Sequence, residues 1–289
     1  FGQITGIDIR GEVRGVLPST EWKRNYYKRP EQQKWYAGET ISLGIGQGYN
    51  SFTMLQLAQA TAILANNGIK HPPQLVLATQ DTSSQVSVPV TPQPAENLGF
   101  KQEHIDTIRK AMVGVTQEGT SRNVFAGAAY LSGGKTGTAQ AVTIGKNEKY
   151  NAARMEERQR DHSLYIAFAP AEDPKMAIAV IVENAGFGAA SAAPMARRAF
   201  DYWLLGQYPS EQDLALVRKG QATAPLGQAR VAADVPWPRP AVAAPAPAPS
   251  PCSCSSTLSP TPMVIETPFL PPSLAFRPPA LEQKRVRNH

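Results

Sequence analysis

The sequence has very little cysteine and histidine. Cys252 and Cys254 are the two cysteines among 289 residues, and the four histidines are scattered without an H-E-x-x-H pattern. A C-x-C pair alone provides neither a disulfide framework nor a complete zinc site. We therefore expect no metal and no cofactor, and the cysteine-free body suits an oxidising compartment.

The chain also lacks a long apolar run. Nothing in it approaches the roughly 18 consecutive apolar residues that a membrane-spanning helix needs. The sequence starts at Phe1 and shows no signal peptide. We expect a piece of a longer protein, with any targeting segment encoded before Phe1.

A basic surface of the kind that binds nucleic acid is missing as well. The net charge is +6, but five Lys or Arg and two acidic residues place +3 of it in residues 236–289. The rest is spread over residues 1–235, and no predicted helix presents a long basic face. We therefore expect no nucleic acid partner.

The composition changes near residue 210. Fourteen of the 26 prolines lie in residues 236–289, where alanine and serine are also abundant. Such a segment cannot bury a core and favours extended polyproline conformation. We predict a folded domain over residues 1–210 and a disordered tail over residues 211–289.

Three helices are predicted. Thr53 and Gln56 form a capping box at the start of the first helix, and Gly68 follows its end. Residues 101–115 carry apolar side chains at helical spacing, with Ile105 and Ile108 among them. Residues 191–206 predict the third helix, which stops at a glycine.

Strands are predicted between the last two helices. The apolar runs 163–169 and 176–183 indicate a hairpin that turns at Asp173-Pro174. Residues 137–144 are a third strand by residue type. The charged segment 145–161 is expected on the surface.

The stretch LSGGKTGTAQ, residues 131–140, resembles the end of a phosphate-binding loop. That loop needs a glycine six residues before its lysine, and Ala129 stands there. Its lysine also opens a helix, which the following Thr-Gly-Thr disfavours. We exclude a nucleotide site here.

GIGQG, residues 44–48, lacks the G-x-G-x-x-G spacing and is interpreted as a tight loop before the Thr53 helix.

An edge strand at KTGT makes chemical sense for acyl transfer on a peptide. Lys135 supplies a cation for a substrate carboxylate, and Thr136 and Thr138 supply hydroxyls. Gly137 lets a substrate lie against the backbone. A backbone N–H of such a strand can bind a developing oxyanion.

Three stretches in combination resemble the class B penicillin-binding proteins. They are residues 20–68, the SGGKTGTAQ stretch, and residues 160–188. The charged insert ending in ARMEERQRDH resembles that of the rod-elongation members. The resemblance covers about residues 1–206. It implies the C-terminal part of a transpeptidase domain, with an α+β fold in which helices flank an antiparallel five-stranded sheet.

The resemblance implies a peptidoglycan D,D-transpeptidase that cross-links stem peptides through a serine acyl-enzyme and binds penicillin. Lys135, Thr136, Gly137 and Thr138 would bind substrate, and the Thr138 N–H would contribute to the oxyanion hole. Expected partners are peptidoglycan stem peptides, β-lactams and membrane proteins of the elongation complex. The implied location is the periplasmic face of the bacterial inner membrane, through an N-terminal anchor absent from this chain.

The family's nucleophile motif S-x-x-K and its second motif S-x-[ND] should precede the resembling region. We therefore expect no catalytic serine in this chain, and no acylation by the chain alone. Ser132–Lys135 and Ser121–Asn123 match these patterns but are interpreted as chance, because such short patterns recur often. Ser19 and Lys23 are one residue too far apart.

Two other functions remain open at this point. A serine β-lactamase shares the lysine-strand motif, although residues 44–60 and the charged insert disfavour it. A non-catalytic remnant or scaffold of the same family is the other alternative.

Overall fold

The structure is a computed structural model that describes residues 1–142, 151 and 155–235. Its helices are α1 (Thr20–Tyr26), α2 (Pro30–Gln33), α3 (Ala37–Gly44), α4 (Met54–Ala65), α5 (Gln102–Gln117), α6 (Arg122–Phe125), α7 (Ala192–Leu205) and α8 (Glu211–Arg218). Its strands are β1 (Ile69–Lys70), β2 (Ala78–Gln80), β3 (Ser87–Pro89), β4 (Glu96–Asn97), β5 (Gly133–Ala139), β6 (His162–Ala169), β7 (Met176–Val182), β8 (Gln207–Tyr208) and β9 (Arg230–Val231).

The main sheet is antiparallel and has the strand order β5-β6-β7. Gly133 lies opposite Phe168, and Ser163 lies opposite Val182. The predicted hairpin of β6 and β7 is confirmed. The resemblance implies five strands, whereas the main sheet of the described residues has three. The other strands form separate pairs, β1 with β4, β2 with β3 and β8 with β9.

The central strand β6 is buried on both faces. Tyr165, Ala167 and Ala169 pack with α6 and α7. Phe168, on the opposite face, packs with α4 and α5 through Ala65 and Met112. A strand covered on both faces is apolar at most positions, which explains the unbroken apolar run of residues 164–169. The predicted α+β fold, a sheet flanked by helices, is confirmed.

Strand β5 lies earlier in the chain than residue type predicts. It runs from Gly133 to Ala139, whereas residues 137–144 were the predicted span, of which 143 and 144 lie outside the described residues. Its first two glycines face aromatic rings of β6: a Cβ on Gly133 would lie 2.5 Å from the Phe168 ring, and one on Gly134 would lie 2.1 Å from Tyr165 Oη. The close packing requires glycine, whose low strand propensity conceals the start of the strand.

The helix predictions hold, with one difference in α5. The capping box of α4 is present, since Thr53 Oγ1 accepts from Gln56 N and Gln56 Oε1 accepts from Thr53 N, both at 3.1 Å. Ile105 is 2% exposed, but Ile108, another of the apolar residues at helical spacing, is 48% exposed. Ile108 comes three residues after Ile105 and therefore lies about 60° around the helix from it, which places it outside the buried face of α5.

The ordered chain continues past the boundary that composition predicts at residue 210. Asp213 of α8 is 1% exposed and accepts from Arg198 of α7, with Nε to Oδ2 at 2.9 Å. Arg198 Nη1 also donates to the Thr223 carbonyl at 3.1 Å. Residues 211–235 thus belong to the same compact unit as the preceding domain. The buried ion pair is one of several bonds in this connection, and composition does not reveal it.

Two predicted segments lie largely outside the described residues. The tail from residue 236 onward is one of them. The other is the charged segment 145–161, of which residues 145–150 and 152–154 are not described. Its last residue, Asp161, was expected on the surface but is 8% exposed.

We expect Asp213→Asn to lower the free energy of unfolding by about 3–5 kcal/mol, because it leaves the Arg198 guanidinium buried without its anion. Urea unfolding of the protein measures this. Glu211→Gln is the matched control on the same helix, since the Glu211 side chain is 70% exposed and pairs with Arg230 at the surface. That change should cost less than about 1 kcal/mol. Equal losses for the two variants would contradict the assignment of α8 to the folded unit.

Candidate functional site

The KTGT segment lies on an edge strand of the main sheet. Within β5, Lys135 is exposed, while Thr136, Gly137 and Thr138 are half-buried. Strand β6 bonds one side of β5, and no strand of the described residues pairs with the other side. The structure therefore brings the four predicted substrate-binding residues to one open edge.

Two hydrogen bonds fix which backbone groups face that edge. The Thr138 carbonyl accepts from Gln47 Nε2 at 2.7 Å, and the Thr136 carbonyl accepts from Lys135 Nζ at 2.7 Å. In an antiparallel pair, the N–H and C=O of one residue point to the same side, and successive residues alternate. Thr136 and Thr138 thus turn both groups outward. The Thr138 N–H faces the open edge, as an oxyanion donor must.

The polar side chains of this strand have few charged neighbours. The ammonium of Lys135 forms no ion pair with an acidic side chain in residues 1–142, 151 or 155–235. The Thr136 hydroxyl lies 3.2 Å from that of Thr120, in the turn after α5. An exposed cation beside a positioned hydroxyl can bind a carboxylate through charge-assisted hydrogen bonds.

The loop between β7 and α7 lies directly on this strand. A Cβ on Gly188 would come within 2.3 Å of the Leu164 carbonyl oxygen and 2.7 Å of the Gly137 carbonyl oxygen. Ser163 Oγ fastens the same loop, because it donates to the Phe187 carbonyl at 3.1 Å and accepts from Ala192 N at 3.1 Å. The loop therefore packs against Gly137 through its backbone rather than through side chains.

The two chance matches to serine motifs lie away from the open edge. Ser121 is fully buried, and its hydroxyl is 2.9 Å from Tyr165 Oη. Burial raises the pKa of Tyr165 to about 12, so the pair is neutral. Ser132 is 2% exposed and precedes a strand rather than opening a helix. Neither serine is placed to attack a substrate at the edge of β5.

Ser19 and Lys23 also have structural roles. Ser19 Oγ caps α1 by accepting from Trp22 N at 2.9 Å. Lys23 is 3% exposed, donates to the Lys34 carbonyl at 2.7 Å and forms an ion pair with Glu39. A buried lysine with an anionic partner and a carbonyl acceptor satisfies the usual requirement for charge in the interior.

The carboxylate of Glu39 connects this buried lysine to the GIGQG loop. Its Oε1 accepts from Tyr49 Oη at 2.9 Å, and its Oε2 accepts from Tyr36 N at 2.7 Å. Donation from Lys23 is the main reason that the pKa of Glu39 is lowered from its ordinary value. Residues 46–49 are thereby tied to α1 and α3.

Sequence reasoning missed the Gln47 contact and this network. GIGQG was interpreted as a tight loop, and it is one, with Gly46 at φ 78° and Gly48 at φ 71°. A glutamine between two glycines in such conformations was the available signal. Nothing in the sequence indicated that Lys23 is buried, because a lysine within a polar helix is normally exposed.

Neither a metal site nor a membrane span is found in the described part of the chain. Residues 1–142, 151 and 155–235 contain no group of three His, Cys, Asp or Glu arranged to hold an ion. No helix there is long and apolar enough to cross a bilayer.

Comparisons with known proteins agree on one family. Residues 1–201 match the family model for the penicillin binding protein transpeptidase domain. Peptidoglycan D,D-transpeptidase MrdA of Acinetobacter baumannii is 45% identical over 205 residues, which are 71% of this chain and 30% of that protein. The chain therefore spans about a third of the length of such curated relatives.

Solved structures give the same result. The crystal structure of Pseudomonas aeruginosa PBP2 in complex with WCK 5153 is similar at a TM-score of 0.55 and 40% identity, covering 71% of this chain and 41% of that chain. The complex between PBP2 and MreC from Helicobacter pylori is similar at a TM-score of 0.56 and 27% identity, covering 71% and 34%.

We expect Glu39→Gln to destabilise the protein by about 1.5–3 kcal/mol at neutral pH, because Lys23 loses its charged acceptor. The folded-state pKa of Glu39 is depressed below its ordinary value of 4.5, so its stabilisation is complete above that pH and is lost as the pH falls further. Thermal melts of wild type and variant should therefore converge in acid. Glu21→Gln, an exposed change in α1, is the control. A difference in melting temperature that is constant with pH would contradict the assignment.

Proposed function

Because the chain belongs to the penicillin-binding protein transpeptidase domain family, we propose that it is the C-terminal part of a peptidoglycan D,D-transpeptidase. Such an enzyme cross-links stem peptides through a serine acyl-enzyme and binds penicillin. The open edge of β5, with a cation, two hydroxyls and an outward backbone N–H, is the observation that supports this function. The serine and its partner lysine come from a part of the protein outside this chain.

The proposed role of each residue follows from its charge and from the direction in which its groups point. Lys135 and the hydroxyls of Thr136 and Thr138 hold the terminal carboxylate of the stem peptide by charge-assisted hydrogen bonds. Gly137 has no side chain, so the peptide backbone can lie against the strand. When the serine oxygen attacks the penultimate D-Ala carbonyl, negative charge develops on the carbonyl oxygen, and the Thr138 N–H stabilises it.

The two covalent steps use groups outside this chain. The serine oxygen bonds the carbonyl carbon, and the terminal D-Ala leaves with the electrons of the broken peptide bond and the proton that the serine gave up, which leaves the acyl-enzyme. An amine of a neighbouring stem peptide then attacks the ester, forms the new peptide bond, and its proton returns to the released serine oxygen. A β-lactam enters the same route, but its leaving group stays attached, so the serine remains acylated.

Location and partners are inferred from the family. We place the protein at the periplasmic face of the inner membrane, held by an anchor that precedes this chain. Stem peptides and β-lactams are the proposed ligands, and no cofactor is required for this chemistry. The PBP2 of Helicobacter pylori forms a complex with MreC, which supports membrane proteins of the elongation complex as partners.

The experiment is acylation of the full-length transpeptidase by a fluorescent penicillin. We expect Lys135→Ala to lower the second-order rate constant by about 10- to 100-fold, because a hydrogen bond to a charged group is lost. Lys175→Ala is the matched control, since Lys175 pairs with Asp173 in the β6–β7 turn.

The outcomes separate the alternatives. A wild-type protein that takes up no label would favour a non-catalytic relative. Rapid turnover of penicillin instead of a stable adduct would favour a β-lactamase. Equal labelling of Lys135→Ala and Lys175→Ala would overturn the role given to Lys135.

A further inference from the structure

The GIGQG loop reaches the candidate site through the side chain of Gln47. Gln47 Nε2 donates to the Thr138 carbonyl at 2.7 Å, across 91 residues of sequence. Thr138 is the residue whose N–H is assigned to the oxyanion. This hydrogen bond therefore joins the loop to the reactive end of β5.

The backbone of the loop holds Gln47 in a fixed position. Gln47 N donates to the Ser42 carbonyl at 2.9 Å, and its carbonyl accepts from Asn50 Nδ2 at 3.1 Å. Gly46 N donates to the Leu43 carbonyl at 2.9 Å. With its main chain bonded on both sides, Gln47 has its side-chain amide left to interact with the strand.

The loop is also tied to buried structure. Tyr49, two residues after Gln47, donates to Glu39, and Glu39 pairs with the buried Lys23. The rings of Tyr36 and Tyr49 lie 5.2 Å and 5.7 Å from Lys23 Nζ. The donor at Gln47 is thus supported by a packed, charged network rather than by a free loop.

The outward backbone groups of an edge strand need a partner from another segment to hold them. In a sheet interior, a neighbouring strand fixes the outward carbonyls, but β5 has no strand on that side in the described residues. The N–H and C=O of Thr138 point to the same side, so a donor that holds the carbonyl also limits rotation of the N–H. Oxyanion stabilisation depends on donors being fixed before the charge develops.

We propose that Gln47 is a positioning residue, which holds Thr138 so that its N–H is aimed at the oxyanion. The inference rests on the proposed function and extends it to a residue outside the KTGT motif. Gln47 touches neither substrate nor serine in this role. Its contribution should appear in the chemical step and leave substrate binding almost unchanged.

The test is stopped-flow acylation of the full-length transpeptidase by a fluorescent penicillin, resolved into the dissociation constant of the first complex and the acylation rate constant. Gln47→Glu keeps the shape of the side chain and removes the N–H donor. We expect the acylation rate constant to fall about 10- to 100-fold, because small displacements of catalytic groups have effects of that size. The dissociation constant should change less than about threefold, since Lys135 and the threonine hydroxyls remain in place.

Gln74→Glu is the matched control. Gln74 Nε2 donates to the Val76 carbonyl at 2.6 Å, so the same substitution removes a similar hydrogen bond that is made within its own segment and not to β5. Lys135→Ala should weaken the first complex, which is a different kinetic result from that of Gln47→Glu. Should Gln47→Glu lower the melting temperature by more than the control does, Gln47→Asn decides, because it keeps a neutral amide that is too short to reach Thr138.

The possible results are distinct. A fall in the acylation rate constant alone, in a folded variant, supports the positioning role. An unchanged rate constant in Gln47→Glu or Gln47→Asn overturns it, and so does a loss confined to the dissociation constant. If the wild-type protein is acylated and Lys135→Ala is impaired, such a negative result counts against Gln47 and leaves the proposed function standing.

Discussion

Burial of both faces of β6 is the constraint on which the rest of the structure depends. Tyr165 is 1% exposed, and Ala167, Phe168 and Ala169 are 0% exposed. Alternate side chains of one strand thus hold α6 and α7 on one face of the sheet and α4 and α5 on the other. With β6 fixed in this way, β5 is bonded on one side and open on the other. The candidate site is that open side.

Contacts with three distant segments hold β5 in place at the candidate site. Gln47 bonds the carbonyl of Thr138, Thr120 lies beside Thr136, and the loop at Gly188 lies on Gly137. None of the three contacts introduces an acidic side chain. The ammonium of Lys135 therefore keeps its charge available for a ligand, while the strand that carries it is held in place by neutral groups.

The sequence predicted those parts of the fold that local chemistry determines. Thr53 and Gln56 cap α4 with their own neighbours, and the apolar runs of β6 and β7 follow from complete burial. KTGT was recognised as an edge strand because its residue types suit one. Contacts made between distant segments were missed, because the fold decides which residues meet. Gln47 meets Thr138 across 91 residues, and the acceptors of Lys23 lie 11 and 16 residues away. The tie of α8 to α7 through Asp213 belongs to the same class.

The packing of Gly188 on Gly137 has a consequence for how this protein can change over generations. Every amino acid other than glycine would place an atom at position 188 within 2.3 Å of a main-chain oxygen, and main chain in a sheet cannot move aside cheaply. A base change that replaces this glycine is therefore penalised whichever residue results. Sequence drift in this region is confined to side chains such as Phe187, which is 67% exposed. The loop can diversify its surface while its approach to the strand stays the same.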